Sequence, residues 1–308
     1  MRLLILGAGG VGGYFGTRIH AAGGDVTFLV RPARAEHLRQ HGLKVSSACG
    51  DLQIAPKVIT HEALELAGAF DAILLSCKAY DLDSTMAAIA PVVSERTVIV
   101  PLLNGVRHID ILAARFGRQR VLGGVALISA TLAEDGGIRH LNTMHGMTVG
   151  AFADGPAASL DALSGVLAGA GFDFVRSDNI AQAMWDKIVF LTTLAGATCL
   201  MRASVGTIMS TPEGERYVND LLDECAAIAR ASGHTLSAAQ LASSRAILTN
   251  RTSPLMASML RDVEAGRPTE ADHILGDMLT KAKVADVSAP CLGLAYAHLQ
   301  AYERRRQG

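Results

Sequence analysis

The chain has 308 residues, carries 28 Lys+Arg against 29 Asp+Glu for a net charge of −1, and is 50% hydrophobic and 19% charged. At roughly 100–200 residues per domain that length suggests two domains, and so long a chain buries about 75% of its unfolded surface without disulfides or a structural metal. The balanced charge excludes the broad basic face of a nucleic-acid binder, and the apolar content excludes a disordered chain.

Arg2–Leu6 reads as a short apolar strand ending at glycines, followed by a helix over Val11–Ala22 that stops at Gly23-Gly24. Asp25–Val30 is a second strand and Ala33–His41 a second helix. Phe70–Ser76, Thr97–Val100 and Val121–Ala126 are further strands with helical stretches between them. Continuous apolar strands separated by helices predict a parallel sheet covered on both faces. Ala133-Glu134-Asp135-Gly136-Gly137 predicts a hairpin turn between two more strands, and a helix at Ser159–Ala168 with a strand at Phe172–Arg176 completes this half.

From about Asn179 only helical signals remain. Val218, Leu221, Leu222, Cys225 and Ile228 line one face of a helix, with Thr211 as cap, Pro212 in the first turn and Gly233 as stop. Ser237 with Gln240 predicts a capping box for the next helix. Ser253-Pro254 predicts the start of another that runs through Met259 and Val263 to Gly266. Ile274, Leu275, Met278 and Leu279 mark a further helix; Leu292, Tyr296 and Leu299 mark the last. The expected architecture is α/β: a Rossmann-type doubly wound parallel sheet domain over residues 1–178, then an all-α helical domain over residues 179–308. Its Met- and Leu-rich helices can cover a homodimer interface as readily as a core.

No apolar run reaches the ~18 residues of a membrane span, and the longest, Ile188–Met201, is interrupted by Thr192, Thr193 and Thr198. The N-terminal MRLLIL stops at Gly7, short of a signal-peptide core. The five cysteines are scattered without a CxxC and read as reduced thiols. The expectation is a cytoplasmic protein without membrane or nucleic-acid partners.

Gly7-Ala8-Gly9-Gly10-Val11-Gly12 fits G-x-G-x-x-G between an expected strand and an expected helix, the context that makes the pattern a dinucleotide fingerprint. Gly7 makes the tight turn, Gly9 admits the pyrophosphate and Gly12 lets helix and strand approach, while the helix N-terminus offers free N–H groups to the phosphates. The second strand ends Leu29-Val30-Arg31, with Arg34 following and no acid before Glu36. An acid there would bind the ribose 2′-hydroxyl of NAD; an arginine suits a 2′-phosphate, so NADP(H) is the expected cofactor.

Lys78, in Cys77-Lys78-Ala79, and Asn104, before Gly105, each follow an apolar strand, at the ends where ligands bind in an open α/β sheet. Asn-Gly is also ordinary turn chemistry. Lys187 is embedded in Met184-Trp185-Asp186-Lys187-Ile188-Val189-Phe190-Leu191, where it either snorkels to water or is desolvated into a better proton donor. Ser258 and Glu270 are unremarkable alone. His37 and His41 share a helical spacing but lie in a polar segment without a third ligand, so no metal site is expected. G-x-S-x-G, P-loop and H-E-x-x-H motifs are missing from the sequence.

Taken in order, Gly7–Gly12, Arg31, Cys77-Lys78-Ala79, Leu103-Asn104-Gly105, Trp185-x-Lys187, and Ser258-Met259-x-x-Asp262 running to Thr269-Glu270 resemble the ketopantoate reductase (2-dehydropantoate 2-reductase) family over nearly the whole chain. The resemblance implies NADPH-dependent reduction of ketopantoate to pantoate, on the way to pantothenate and coenzyme A. It implies Lys187 as general acid, Glu270 binding a substrate hydroxyl or orienting the lysine, and Ser258 holding the carboxylate end. It also implies Asn104 at the nicotinamide and substrate, and Lys78, Gly10 and Val11 among the cofactor contacts. Where the family's best-known members carry asparagines, this chain has Leu191, Ala195 and Leu255. Those replacements raise the alternative of a more apolar small 2-oxo acid as substrate. A non-catalytic NADP(H) sensor would require neither Lys187 nor Glu270.

Overall fold

The computed structural model describes residues 1–153 and 155–307. They form two compact units, Met1–Asn104 with His108–Ala183, and Gly105–Arg107 with the residues from Met184 on.

The first unit begins β1 (Arg2–Leu6), α1 (Gly10–Ala21), β2 (Asp25–Leu29), α2 (Pro32–His41), β3 (Leu43–Ser46), β4 (Leu52–Ile54), β5 (Lys57–Ile59) and α3 (His61–Leu64). It continues through β6 (Ala72–Leu75), α4 (Leu82–Ile89), β7 (Val98–Pro101), α5 (Arg107–Phe116), β8 (Gly123–Leu132), β9 (Ile138–Gly150), α6 (Ala157–Leu167) and β10 (Asp173–Ser177). Five strands form an all-parallel sheet in the order β5-β2-β1-β6-β7. Leu3–Leu6, Ala72–Leu75 and Val98–Pro101 are buried at every position, as expected of central strands covered on both faces. The chain leaves β1 for β2 on one side and later returns to β6 on the other. This reversal creates a topological switch point at the C-terminal end of β1, where doubly wound folds bind ligands.

The parallel sheet does not extend through the whole unit. A second sheet runs β10-β9-β3-β4, with β8 antiparallel to β9 across the expected turn at Ala133–Gly137. In that turn the Asp135 carboxylate accepts from the Gly137 N–H at 2.9 Å. The segment expected to begin a strand at Val121 instead touches Ile99 of the first sheet only as an isolated bridge and then diverges as β8. Gly124 allows this, since a Cβ there would lie 2.5 Å from the Pro101 carbonyl oxygen.

The second unit is helical: α7 (Ile180–Met201, continuing from the first unit), α8 (Val205–Met209), α9 (Pro212–Ala231), α10 (Ala238–Leu248), α11 (Ser258–Glu264), α12 (Asp277–Val284) and α13 (Pro290–Gln307). The Thr211 hydroxyl accepts from Gly214 N–H, the Ser237 hydroxyl accepts from Gln240 N–H, and Gly233 closes α9 at φ +87°. Two expectations need correcting. The helix expected from Ser253-Pro254 begins only at Ser258, because the Ser253 and Leu255 carbonyls accept from Gly206 and Val205 N–H at 2.8 and 2.9 Å. Those residues are thus committed to the start of α8. And α7, at 22 residues and with a most apolar window of mean hydropathy 1.2, is long and apolar enough to cross a bilayer, although 67% of that window is buried within the protein. Residues Ile180–Lys187 lengthen it beyond the apolar run itself. Thr193 and Thr198 lie in this helix without cost, since their hydroxyls donate to the Val189 and Leu194 carbonyls.

Candidate functional site

The four sequence segments expected to bind a dinucleotide all lie at C-terminal ends of the first sheet's strands. The glycine loop follows β1, Arg31 follows β2, Lys78 follows β6, and Asn104 follows β7. The glycines have distinct reasons to be there. Gly7 sits at φ +88°, a left-handed conformation that other residues adopt at a cost. A Cβ at Gly12 would collide with the Gly7 carbonyl oxygen and the Ser76 hydroxyl, which itself donates to the Leu6 carbonyl at 2.7 Å. One at Gly10 would collide with the Ala130 carbonyl of β8. Gly9 alone of the four has nothing within 4 Å of its missing side chain and ordinary backbone angles of φ −89° and ψ −166°. The protein's own packing therefore does not require glycine there, whereas a diphosphate approaching the backbone would. No acid occupies the first turn of α1, whose free N–H groups and positive dipole end face this space. The loop fits a dinucleotide.

The two arginines after β2 have separate tasks. Arg31 caps α2 and is exposed. Arg34, partly buried, donates from Nη2 to the Ala8 carbonyl at 3.0 Å, and its Nη1 lies 2.9 Å from where a Cβ on Gly136 would be. Arg34 thus ties the glycine loop to the hairpin turn, leaving Arg31 available to a ligand. Lys78 is half-buried at the start of a single turn, Ala79–Asp81, and Asn104 is half-buried ahead of Gly105, which turns at φ +101°.

In the second unit, Trp185 is buried and stacks on the His234 ring at 5.0 Å, fixing one side of α7. With about 100° per residue, Lys187 emerges roughly 200° around the helix from that anchor. Part of Lys187 stays accessible, yet burial pulls its ammonium down from 10.5 to about 8, against the opposing charge of Glu270. Glu270 is itself only 7% exposed. The structure therefore brings Lys187 on α7 within electrostatic reach of Glu270, just ahead of the turn that leads into α12, and pulls the lysine down to about 8. Such an ammonium can donate a proton to a developing alkoxide.

Ser258 is exposed as the first residue of α11. Its neighbour Ala257 donates N–H to the Thr198 hydroxyl at 3.3 Å, three helical turns beyond Lys187 on α7, about 16 Å along the axis. Leu191, Ala195 and Leu255 pack with the apolar core of this unit. Sequence reasoning missed Ser76 and the π-helical turn Asp272–Gly276 just after Glu270. A serine after a strand carries no special signal, and apolar spacing does not distinguish π from α.

The sequence profile described as ketopantoate reductase PanE/ApbA matches residues 3–154, and its C-terminal counterpart matches residues 179–303. An uncharacterized oxidoreductase of Bacillus subtilis (strain 168), YkpB, is 35% identical over 306 residues, covering 99% of this chain and 100% of that one. The crystal structure of 2-dehydropantoate 2-reductase from Geobacter metallireducens GS-15 matches with a TM-score of 0.89 at 28% identity, over 98% of this chain and 99% of that one. The ternary structure of D-mandelate dehydrogenase with NADH and anilino(oxo)acetate shares the fold at a TM-score of 0.89 and 23% identity, over 100% and 99% of the two chains. The chain belongs to the ketopantoate reductase family, a family of oxidoreductases.

Proposed function

We propose that this protein reduces the 2-oxo group of a small 2-oxo acid with NADPH, converting ketopantoate to pantoate in the family's manner. The observation that carries the reading is Lys187, an ammonium lowered to about 8 by burial within reach of the opposing charge of buried Glu270. The glycine loop would hold the cofactor's diphosphate, and the reduced nicotinamide, when bound, would supply the hydride. Lys187 holds the proton that the carbonyl oxygen takes up, and its positive charge stabilises the oxyanion as it forms. Glu270 holds the lysine charged and in place or accepts from a substrate hydroxyl. Asn104 fixes the carboxamide and substrate, Ser258 the carboxylate end, Lys78 the cofactor, and Arg31 the 2′-phosphate.

A second reading within the same chemistry is favoured by Leu191, Ala195 and Leu255. Apolar side chains there do not satisfy the hydroxyl of a pantoyl group, and sites lacking such donors lose much of the ~10⁴–10⁵-fold discrimination that hydrogen bonding supplies. A 2-oxo acid with an apolar tail would suit them. The test is loss of reduced-nicotinamide absorbance on a panel of 2-oxo acids, NADPH and NADH in parallel. Ketopantoate far ahead of the panel supports the first reading; an apolar 2-oxo acid ahead supports the second. No oxidation with any 2-oxo acid, despite tight NADPH binding, overturns both and leaves a cofactor-binding sensor.

A further inference from the structure

The helix after Glu270 does not start as an ordinary α-helix. Asp272–Gly276 is a π-turn, in which the Asp277 N–H reaches back five residues to the Asp272 carbonyl. A π-turn inserts one residue, so everything before it is rotated about 100° around the axis relative to a regular helix. Glu270 lies just before this turn, and its carbonyl accepts from His273 and Ile274 N–H at 3.1 and 3.0 Å. The direction of Glu270, which precedes the turn, relative to α12 therefore depends on the inserted residue.

Tyr296 of α13 spans the widened turn. Its hydroxyl donates to Asp272 Oδ1 at 2.7 Å, at one end of the turn, and lies 2.8 Å from where a Cβ on Gly276 would be, at the other. Any side chain at 276 would displace the tyrosine. Burial and the neighbouring Asp272 carboxylate raise the Tyr296 phenol to about 12, against a hydrogen bond with Gln300 and the charge of Arg107, so it remains a neutral donor. The same turn presents the buried His273, whose ring lies 2.8 Å from a Cβ position on Gly105, the residue following Asn104.

We propose that Tyr296, seated across the π-turn Asp272–Gly276 and bonded to Asp272, is a positioning residue that aims Glu270 at Lys187. This rests on the reading of Lys187 as the proton donor. It acts through the carboxylate rather than on substrate: with the clasp lost, the turn relaxes, Glu270 moves away, and the lysine loses the charge that holds its proton.

The test is Tyr296→Phe, which keeps the ring against Gly276 and removes the hydroxyl's bonds to Asp272 and Gln300, beside Asp272→Ala, which removes the first alone. Two readouts are followed in the full chain: turnover against pH, and the pH dependence of Lys187 acylation by acetic anhydride, read by peptide mass spectrometry without reference to activity. Tyr296→Phe and Asp272→Ala are expected to lower kcat about tenfold, the scale of a small misplacement of a catalytic group, with the cofactor's KM unchanged. Both move the Lys187 midpoint to lower pH. Asp272→Asn, which still accepts from the tyrosine, restores parental behaviour, and Tyr296→Phe adds no shift in a Glu270→Gln background. An unmoved Lys187 midpoint in Tyr296→Phe and Asp272→Ala overturns the inference, whatever happens to turnover. A moved midpoint with parental turnover upholds the positioning and overturns Lys187 as the acid.

Discussion

Replacing Lys187 by methionine tests the proton donor and its energetic cost together. Methionine keeps the length and removes the charge. Loss of a general acid lowers turnover by about 10²–10⁴-fold. Stability moves the other way. The ammonium falls from 10.5 to about 8 on folding, chiefly through burial. At about 1.36 kcal/mol per tenfold change in proton affinity that is about 3 kcal/mol, a ceiling because part of the side chain stays accessible. Between about pH 8 and 10.5 the unfolded lysine keeps a proton that the folded one has lost, so the parent gains stability as pH rises through that window. The methionine variant has no such dependence. Urea denaturation of both proteins at pH 7 and pH 10.5 should therefore show the variant's relative stability falling by up to about 3 kcal/mol at the higher pH. Groups common to both proteins cancel in the comparison. Parental turnover in the reducing direction should fall to about a tenth by pH 9, as the donor loses its proton. A stability difference that is flat with pH refutes the buried ammonium; undiminished turnover in the variant removes Lys187 from the chemistry.

Gly9→Ala should leave stability within about 0.5 kcal/mol by thermal melting, since the space beside it is open, while weakening NADPH binding measured by fluorescence titration. Gly12→Ala should instead cost about 1–3 kcal/mol of stability, because the Gly7 carbonyl cannot move aside for the methyl group. Arg31→Ala should raise the KM for NADPH by about 10–100-fold, the scale of one charged hydrogen bond, and leave that for NADH nearly unchanged; equal effects on both assign the residue elsewhere. Leu191→Asn should raise kcat/KM for ketopantoate by about tenfold or more relative to an apolar 2-oxo acid; an unaltered ratio places Leu191 outside the substrate's reach.

The legible part of the fold was the part whose strands are continuously apolar. Leu3–Leu6, Ala72–Leu75 and Val98–Pro101 are buried along their length, so their composition alone marks them. The second sheet was less so: the turn at Ala133–Gly137 and the strand near Phe172–Arg176 were marked, but β3 and β4 have only four and three residues, and β9 alternates buried Ile138 and His140 with exposed Arg139 and Leu141. The glycine loop was legible because its requirements are local: a positive φ at Gly7, the close approach at Gly12, the open space at Gly9. The π-turn was not, because Ile274, Leu275, Met278 and Leu279 satisfy helical spacing either way, and the tyrosine that spans the turn comes from another helix.

The lysine's chemistry and the apolar character of α7 are one feature. A general acid working near neutral pH needs an ammonium whose proton is held less tightly than in water, and burial is the only lowering influence that acts on Lys187 here. That requires a helix apolar enough to withdraw water from the lysine and anchored firmly enough that the side chain does not swing out to recover it. Trp185 against His234 supplies the anchor, and the apolar core along α7, with Ile188, Val189 and Leu194 buried in it, keeps the helix in place. Unopposed, the same surroundings would push the lysine lower still. Glu270 works against that, raising the ammonium while burial lowers it, so the balance near 8 depends on where the carboxylate is held. An apolar helix long enough to resemble a membrane span, a π-turn after an acid and a tyrosine clasped across that turn thus serve a single requirement: a proton available at the pH where the reaction runs.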